Sequence, residues 1–233
     1  MSLYIILMGV QGAGKGEQAK FIRDRYGIPH VSTGDLFRAM KTREDDLAKR
    51  VQQIMASGNL VDDATTNEVV KDRLSQPDAR GGVIFDGYPR TPNQAAWLES
   101  YLAERGEKIN AVILLDLDLY TAFKRAFGRV STAAGSTYNI YFNADGLQEF
   151  KFEDHPEKQF PPRLVAVEQG TGERLVRRPD DASADAILKR IDTFVATTQP
   201  LIDYFDAKNL VKRVNADQSI EAVSTAIQQV IGV

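Results

Sequence analysis

The sequence predicts an α/β fold organised around a parallel sheet, with a smaller β-rich segment inserted into it. Three observations carry that expectation. Short continuous apolar runs recur along the chain, as strands buried on both faces of a parallel sheet require. Helical patterns, with apolar residues at three- and four-residue spacings, lie between those runs. One segment, residues 131–177, breaks the alternation and reads as short strands punctuated by glycine and proline.

In chain order, the first run covers residues 3–8 and is ended by Gly9; a helical pattern follows over 18–25. Two further patterns, 44–55 and 64–74, precede the run at 83–85, and another, 92–104, follows it. The run at 111–117 leads into a pattern over 119–127. Beyond the irregular segment come a pattern over 184–206, a short run at Leu210, Val211 and Val214, and a last pattern over 220–231. Strands alternating with helices argue for parallel strands joined by crossover helices on both faces. The irregular segment holds six aromatic residues and alternates over 137–142, 150–152 and 164–167. It reads as a small antiparallel insertion, on pattern alone either a surface excursion or a functional part.

Composition excludes several classes. At 233 residues the chain is worth about one and a half domains, so one core plus an insertion is the natural division. With 43% hydrophobic and 26% charged residues it is ordinary globular material, not disordered. The net charge of −3 supplies no field for nucleic acid or an anionic membrane, so any polyanion must be held by local basic groups. The absence of cysteine rules out disulfides, thiol nucleophiles and Cys-ligated zinc, and two distant histidines, His30 and His155, make a His-based metal site improbable. The apolar runs are too short to cross a bilayer, and the first run has no basic segment before it. A cytoplasmic protein with no membrane or nucleic-acid partner is expected, and a monomer, since no apolar face demands a partner.

The first run passes directly into Gly9-Val10-Gln11-Gly12-Ala13-Gly14-Lys15-Gly16 and then a helix. That is the G-x-x-x-x-G-K phosphate loop in its strand–loop–helix setting. Its glycines let several backbone N–H groups converge on one phosphate, the helix N-terminus adds partial positive charge, and Lys15 adds a point charge. A dinucleotide loop is the rival reading, but Glu17 occupies the place of its final glycine. A nucleoside triphosphate is the better ligand. Gly16 stands where a magnesium-binding hydroxyl is common, so Mg²⁺ would be held through phosphates and water, organised by a carboxylate such as Asp86 at the end of the 83–85 run.

Three further segments, His30-Val31-Ser32-Thr33-Gly34-Asp35-Leu36-Phe37-Arg38, Phe85-Asp86-Gly87-Tyr88-Pro89-Arg90-Thr91 with Gln94, and Thr171-Gly172-Glu173 followed by Arg178, Asp180 and Asp181, point to one family. With the phosphate loop, they make the chain resemble adenylate kinases of the long-lid type. The resemblance spans the chain outside 131–170. It implies a P-loop NTPase fold with a five-stranded parallel sheet flanked by helices: core 1–31, 62–129 and 178–233, a helical AMP-binding insertion 32–61, and a β-rich lid 130–177. The implied reaction is reversible transfer of the γ-phosphoryl group from Mg-ATP to AMP, giving two ADP.

The same resemblance implies the site. Arg38 and Arg90 would grip the AMP phosphate, Arg125 and Arg129 the ATP phosphates, and Arg178 and Arg190 both AMP and the transferring group; with Lys15, all but Arg38 form the catalytic set. Without the resemblance, Arg125, Arg129 and Arg190 read as solvated helix-face charges. Guanidinium forks suit phosphate oxygens, and each contact is worth about 1.5–3 kcal/mol. The ATP set comprises Gly12, Ala13, Gly14, Lys15, Gly16, Glu17, Arg125, Arg129, Thr137, Tyr138 and Gln218, with Tyr138 stacking on the base. The AMP set adds Thr33, Asn59, Leu60, Val61, Gly87, Tyr88, Pro89 and Gln94, whose amide suits adenine's donor and acceptor edge. Tyr88-Pro89 is expected as a cis peptide. Asp35 and Asp86 would meet Mg²⁺ through water, with no zinc. His30 is expected to close the second strand, and His155 to be a solvated lid residue. Lid closure would expel water and bring Arg178 and Arg190 to the phosphates. A UMP/CMP-type kinase and a low-turnover nucleotide sensor are the alternatives.

Two departures from the family pattern stand out. Family lids are clamped by zinc on four cysteines or by a polar network; here only Glu168 and Thr171 stand at plausible places, and a cluster of the six lid aromatics is the expected substitute. Glu17 stands where the family usually has Thr. A carboxylate about 6 Å from a phosphate charge costs roughly 3 kcal/mol at an effective dielectric near 20. Glu17→Thr is therefore expected to bind ATP more tightly at matched Mg²⁺, and titration calorimetry giving equal or weaker binding would refute this.

Overall fold

The computed structural model describes residues 2–57, 61–153, 163–177, 181 and 183–232. The first part of the chain forms β1 (Leu3–Gly9), α1 (Lys15–Tyr26), β2 (His30–Ser32), α2 (Thr33–Met40), α3 (Asp46–Ala56), α4 (Asp63–Leu74), β3 (Gly82–Asp86), α5 (Pro92–Ala103) and β4 (Ile109–Asp116). It continues with α6 (Leu119–Phe127), β5 (Arg129–Ser131), β6 (Thr137–Asn139), β7 (Leu147–Glu153), β8 (Arg163–Glu168), α7 (Ala184–Asp206), β9 (Val211–Asn215) and α8 (Ile220–Ile231). Two compact units result: Met1–Leu117 with Phe194–Val233, and Asp118–Thr193.

The first unit is built on a five-stranded sheet in the order β2-β3-β1-β4-β9, every neighbouring pair parallel. Its alternating side chains explain the unbroken apolar runs. Tyr4, Ile6 and Met8 of β1 join one core cluster with Val70 of α4, Leu98 of α5 and Phe205 of α7. Ile5 and Leu7 point the other way and are equally buried; on this side α1 lies against β3 and α8 against β4. α1 and α8 are tied by Gln18, whose Nε2 donates to Ile220 O (3.2 Å) while its Oε1 accepts from Ser224 Oγ (2.9 Å). Met40, Ala48, Val51 and Val69 form a separate small cluster among α2, α3 and α4.

The second unit pairs β5 with β6 and β7 with β8, both antiparallel. Its core is aliphatic: Val130, Ala166 and Leu175 are buried, with Tyr138, Leu147 and Leu164 packed against them. The expected aromatic cluster does not form among the described residues, because Tyr141, Phe142 and Phe150 are 48%, 47% and 44% exposed. The strand expected over 137–142 stops at Asn139. There the chain turns, with Asn139 and Asn143 exchanging two backbone bonds of 2.9 Å and the Asn139 side chain accepting from Tyr141 N (3.0 Å). Phe160 and His155 lie outside the described residues.

Two other differences concern the segment after α1. His30 opens β2 instead of closing it. α2 has no counterpart among the helical patterns because eight residues give little periodicity; it is started by Ser32, whose side chain accepts from Asp35 N. The close approach of β1 and β3 depends on a glycine. Gly82 has φ 110°, and a Cβ there would collide with the Leu3 backbone. Left-handed strain and overpacking together predict that Gly82→Ala loses about 2–5 kcal/mol. A urea midpoint unchanged from the parent protein would contradict this.

Candidate nucleotide site

The phosphate loop begins where β1 ends. Gly9, Gly12 and Gly14 have φ of 152°, 92° and 89°, and Gly14 caps α1 in the left-handed region with no side-chain bond to the helix amides. This leaves the first-turn N–H groups of α1 to an external anion, which is how phosphate is received. The loop is braced by Ala13 N donating to Val10 O (3.1 Å). Lys15 folds back over it, its Nζ donating to Gly9 O (2.7 Å) and Val10 O (3.2 Å). Gly16 has open space around the position of a Cβ, and Glu17 is exposed in the first turn.

Asp86 ends β3, the strand beside β1, and pairs with Leu7 in register. It is largely buried and accepts from or pairs with His30 Nε2 at 3.3 Å. Burial alone would raise its carboxyl, but the His30 hydrogen bond and the positive charges of Lys15, His30 and Arg90 outweigh burial and hold it below the usual carboxylate range. Among the described residues no group of three or more His, Asp or Glu side chains is placed to hold a metal alone. An ionised Asp86 with no hydroxyl at Gly16 fits a Mg²⁺ held by phosphates and water, with the protein acting through one outer carboxylate. Asp35 is exposed on α2 and ion-paired with Arg38.

The loop after β3 holds the remaining candidates of this unit. Tyr88-Pro89 is a cis peptide bond. Arg90 Nε donates to Gly87 O (2.8 Å) and its Nη2 lies 3.5 Å from Thr33 Oγ1, which itself donates to Gly87 O (2.9 Å). Gln94 is buried and already engaged: its Oε1 accepts from Arg90 N (2.8 Å) and its Nε2 donates to Asp63 Oδ1 (2.6 Å). A base would therefore meet the second amide hydrogen and the second lone pair. Tyr88 donates its hydroxyl to Asn67 Oδ1 (2.7 Å) and is buried, so it acts in packing through its ring. Gln218, after β9, donates to Asn215 O (3.0 Å). Val61 precedes α4; Asn59, Leu60 and Arg178 lie outside the described residues.

In the second unit two candidate arginines meet on one carboxylate. Asp181 is fully buried; its Oδ2 accepts from Arg129 Nε (2.9 Å) and Nη2 (2.5 Å), and its Oδ1 lies 3.5 Å from Arg190 Nη1. Asp181 was not among the expected site residues, although it closes the 178–181 motif. Arg125 places its guanidinium 5.5 Å from the Phe142 ring centroid, and its carbonyl accepts from Asn139 Nδ2 (2.7 Å). Thr137 and Tyr138 lie on β6 opposite Ser131 and Val130. The Tyr138 hydroxyl donates to Glu168 Oε1 (2.6 Å), and Thr171 Oγ1 donates to Glu168 Oε2 (2.6 Å). One carboxylate thus ties β6 to the turn after β8, a polar clamp where aromatics were expected.

A glycine loop between a buried parallel strand and a helix N-terminus, with a lysine on the loop, defines a P-loop nucleotide-binding protein. Within that class, the chain belongs to the adenylate kinase family, whose profile matches residues 7–210. It is similar to the adenylate kinase of Symbiobacterium thermophilum, 37% identical over 230 residues and 98% of each chain. The adenylate kinase of Moorella thermoacetica is 37% identical over 229 residues, 98% of this chain and 97% of the relative. That of Thermotoga neapolitana is 36% identical over 234 residues, 100% of this chain and 98% of the relative.

The clamp carries a pH signature. The hydrogen bonds from Thr171 and then Tyr138 hold the Glu168 carboxyl below its usual range, against a small opposing effect of burial. A depressed carboxyl contributes stability that is complete above the unfolded glutamate value of about 4.3 and is lost as pH falls through the lower folded value. Hydrogen-exchange protection across 129–139 and 163–176 is expected to drop in that acid window, and Glu168→Gln to flatten the dependence. A profile that the substitution leaves unchanged would remove Glu168 from this role.

Proposed function

We infer that this chain transfers the γ-phosphoryl group of Mg-ATP reversibly to AMP, giving two ADP, with Lys15, Arg90, Arg125, Arg129, Arg178 and Arg190 as its phosphate-aligning set. The observation that carries this reading is the convergence at the carboxyl ends of β1 and β3, where the charges of Lys15 and Arg90 act on the ionised Asp86. In a parallel sheet that edge is where ligands are received. Family membership supplies the reaction.

An oxygen of the AMP phosphate attacks the γ-phosphorus in line, and the bond from that phosphorus to the β,γ-bridging oxygen breaks. No side chain need form a covalent bond; the protein aligns two phosphate chains and neutralises their charge. Lys15 and the amides of α1 hold the donor. Arg38 and Arg90 hold the acceptor phosphate, and Thr33 and Gln94 face its base, with residues 32–61 as the AMP-binding insertion. Arg125 and Arg129 contact the ATP phosphates and Arg178 and Arg190 the transferring group, with 130–177 as the lid and 1–31, 62–129 and 178–233 as the core. Asp86 and Asp35 would hold Mg²⁺ through its water shell, and the ion would supply charge neutralisation for the bound phosphates.

A coupled assay with ATP, Mg²⁺ and each of AMP, CMP, UMP and GMP tests the assignment, and AMP is expected to give the highest initial rate. Preference for a pyrimidine monophosphate would move the chain to a UMP/CMP activity. ADP formation at background with intact nucleotide binding would make it a sensor. Arg90→Ala is expected to lower kcat/KM for AMP by about 10³, the scale of an arginine acting on a phosphoryl transition state. An unchanged value would exclude Arg90 from the machinery.

A further inference from the structure

We propose that Glu17 makes the donor loop selective for nucleotides that carry a divalent cation, by repelling the metal-free polyphosphate. This rests on the reading of the 9–16 loop as the triphosphate site. Glu17 is the third residue of α1, and its own amide belongs to the first turn that receives phosphate. Its carboxylate is exposed and, among the described residues, has no hydrogen bond or ion pair. Gly14 and Gly16, which precede it, carry no side chain that could pair with this charge, and no side chain beyond their chain neighbours lies within 4 Å of where a Cβ would stand at either. The one acid in the first turn of the phosphate-receiving helix is thus exposed and without a countercharge among the described residues.

The charge balance gives that carboxylate its effect. Asp86 is already a negative group under the influence of Lys15, so a second carboxylate offsets much of the attraction the loop's lysine supplies. A bound divalent cation halves the charge of a fully ionised triphosphate and so removes about half of the repulsion. At about 6 Å, a unit charge more or less on the ligand changes affinity about threefold in a water-like medium and about a hundredfold at an effective dielectric near 20. A neutral side chain at this position would treat the two ligand forms alike. The consequence is discrimination within one protein: metal-free ATP and ADP are disfavoured at the donor loop more strongly than their metal-bearing forms.

The test is titration calorimetry of the full chain with ATP, without AMP, in excess Mg²⁺ and in excess chelator. In the parent protein metal-free ATP is expected to bind more weakly. Glu17→Gln is expected to reduce that ratio of dissociation constants by about tenfold, chiefly by tightening metal-free binding, while Glu17→Asp keeps it. A ratio unchanged by Glu17→Gln, with ATP still bound, overturns the inference alone. Failure of the parent protein to bind ATP in either condition overturns the donor-site reading and the inference with it.

Discussion

A polyphosphate cannot be held by this chain's overall charge, which is −3, so it must be held by groups concentrated at one place. The parallel sheet supplies that place. Because every strand of β2-β3-β1-β4-β9 runs the same way, β1, β2 and β3 deliver the phosphate loop, the start of α2 and Asp86 to the same edge. The amides of α1 supply partial positive charge without any basic residue, and Lys15 and Arg90 add full charges. Each later feature of the first unit depends on that edge being kept in register, which is why Gly82 must let the β3 backbone pass so close to Leu3.

Buried or partly buried carboxylates position cations and amides within each unit. Asp86 feels the charges of Lys15 and Arg90, Asp63 anchors Gln94 and accepts from Thr91, and Asp181 receives Arg129 and Arg190 within its own unit. An arginine fork fixed on a carboxylate has already lost much of its rotamer freedom, so less is lost when a phosphate arrives. The same arrangement limits each arginine's freedom to serve any other geometry. Positioning and specificity here come from acids as much as from bases.

How much of this was legible follows from the range of each interaction. β1, the phosphate loop, β3 with Asp86, and the helices α6, α7 and α8 are local patterns, and the sequence states them with nearly correct bounds. The Arg129–Asp181, Gln94–Asp63 and Tyr138–Glu168 contacts join residues 52, 31 and 30 positions apart, and no spacing rule reaches that far. The aromatic cluster does not form among the described residues for a related reason. Six aromatics in one segment say nothing about which strand face each occupies, and Phe150, on a pair of two strands, is left 44% exposed with no covering layer among the described residues.

The resting contacts of Lys15 show how such a site remains ready for its ligand. With Nζ on Gly9 O and Val10 O, the ammonium satisfies two neutral carbonyls of its own loop and stays within the first turn. A phosphate offers charged oxygens, and charge-assisted bonds are roughly twice as strong as neutral ones, so exchange toward the ligand is favourable without any rearrangement of the strand. Glu17 stands one turn-edge away with no partner to give up. Lysine therefore responds to any phosphate that enters, whereas the glutamate responds to how much of that phosphate's charge remains unneutralised. On the proposed reading, attraction would fix where the nucleotide binds, and the acid would weigh in which ionic form it does so.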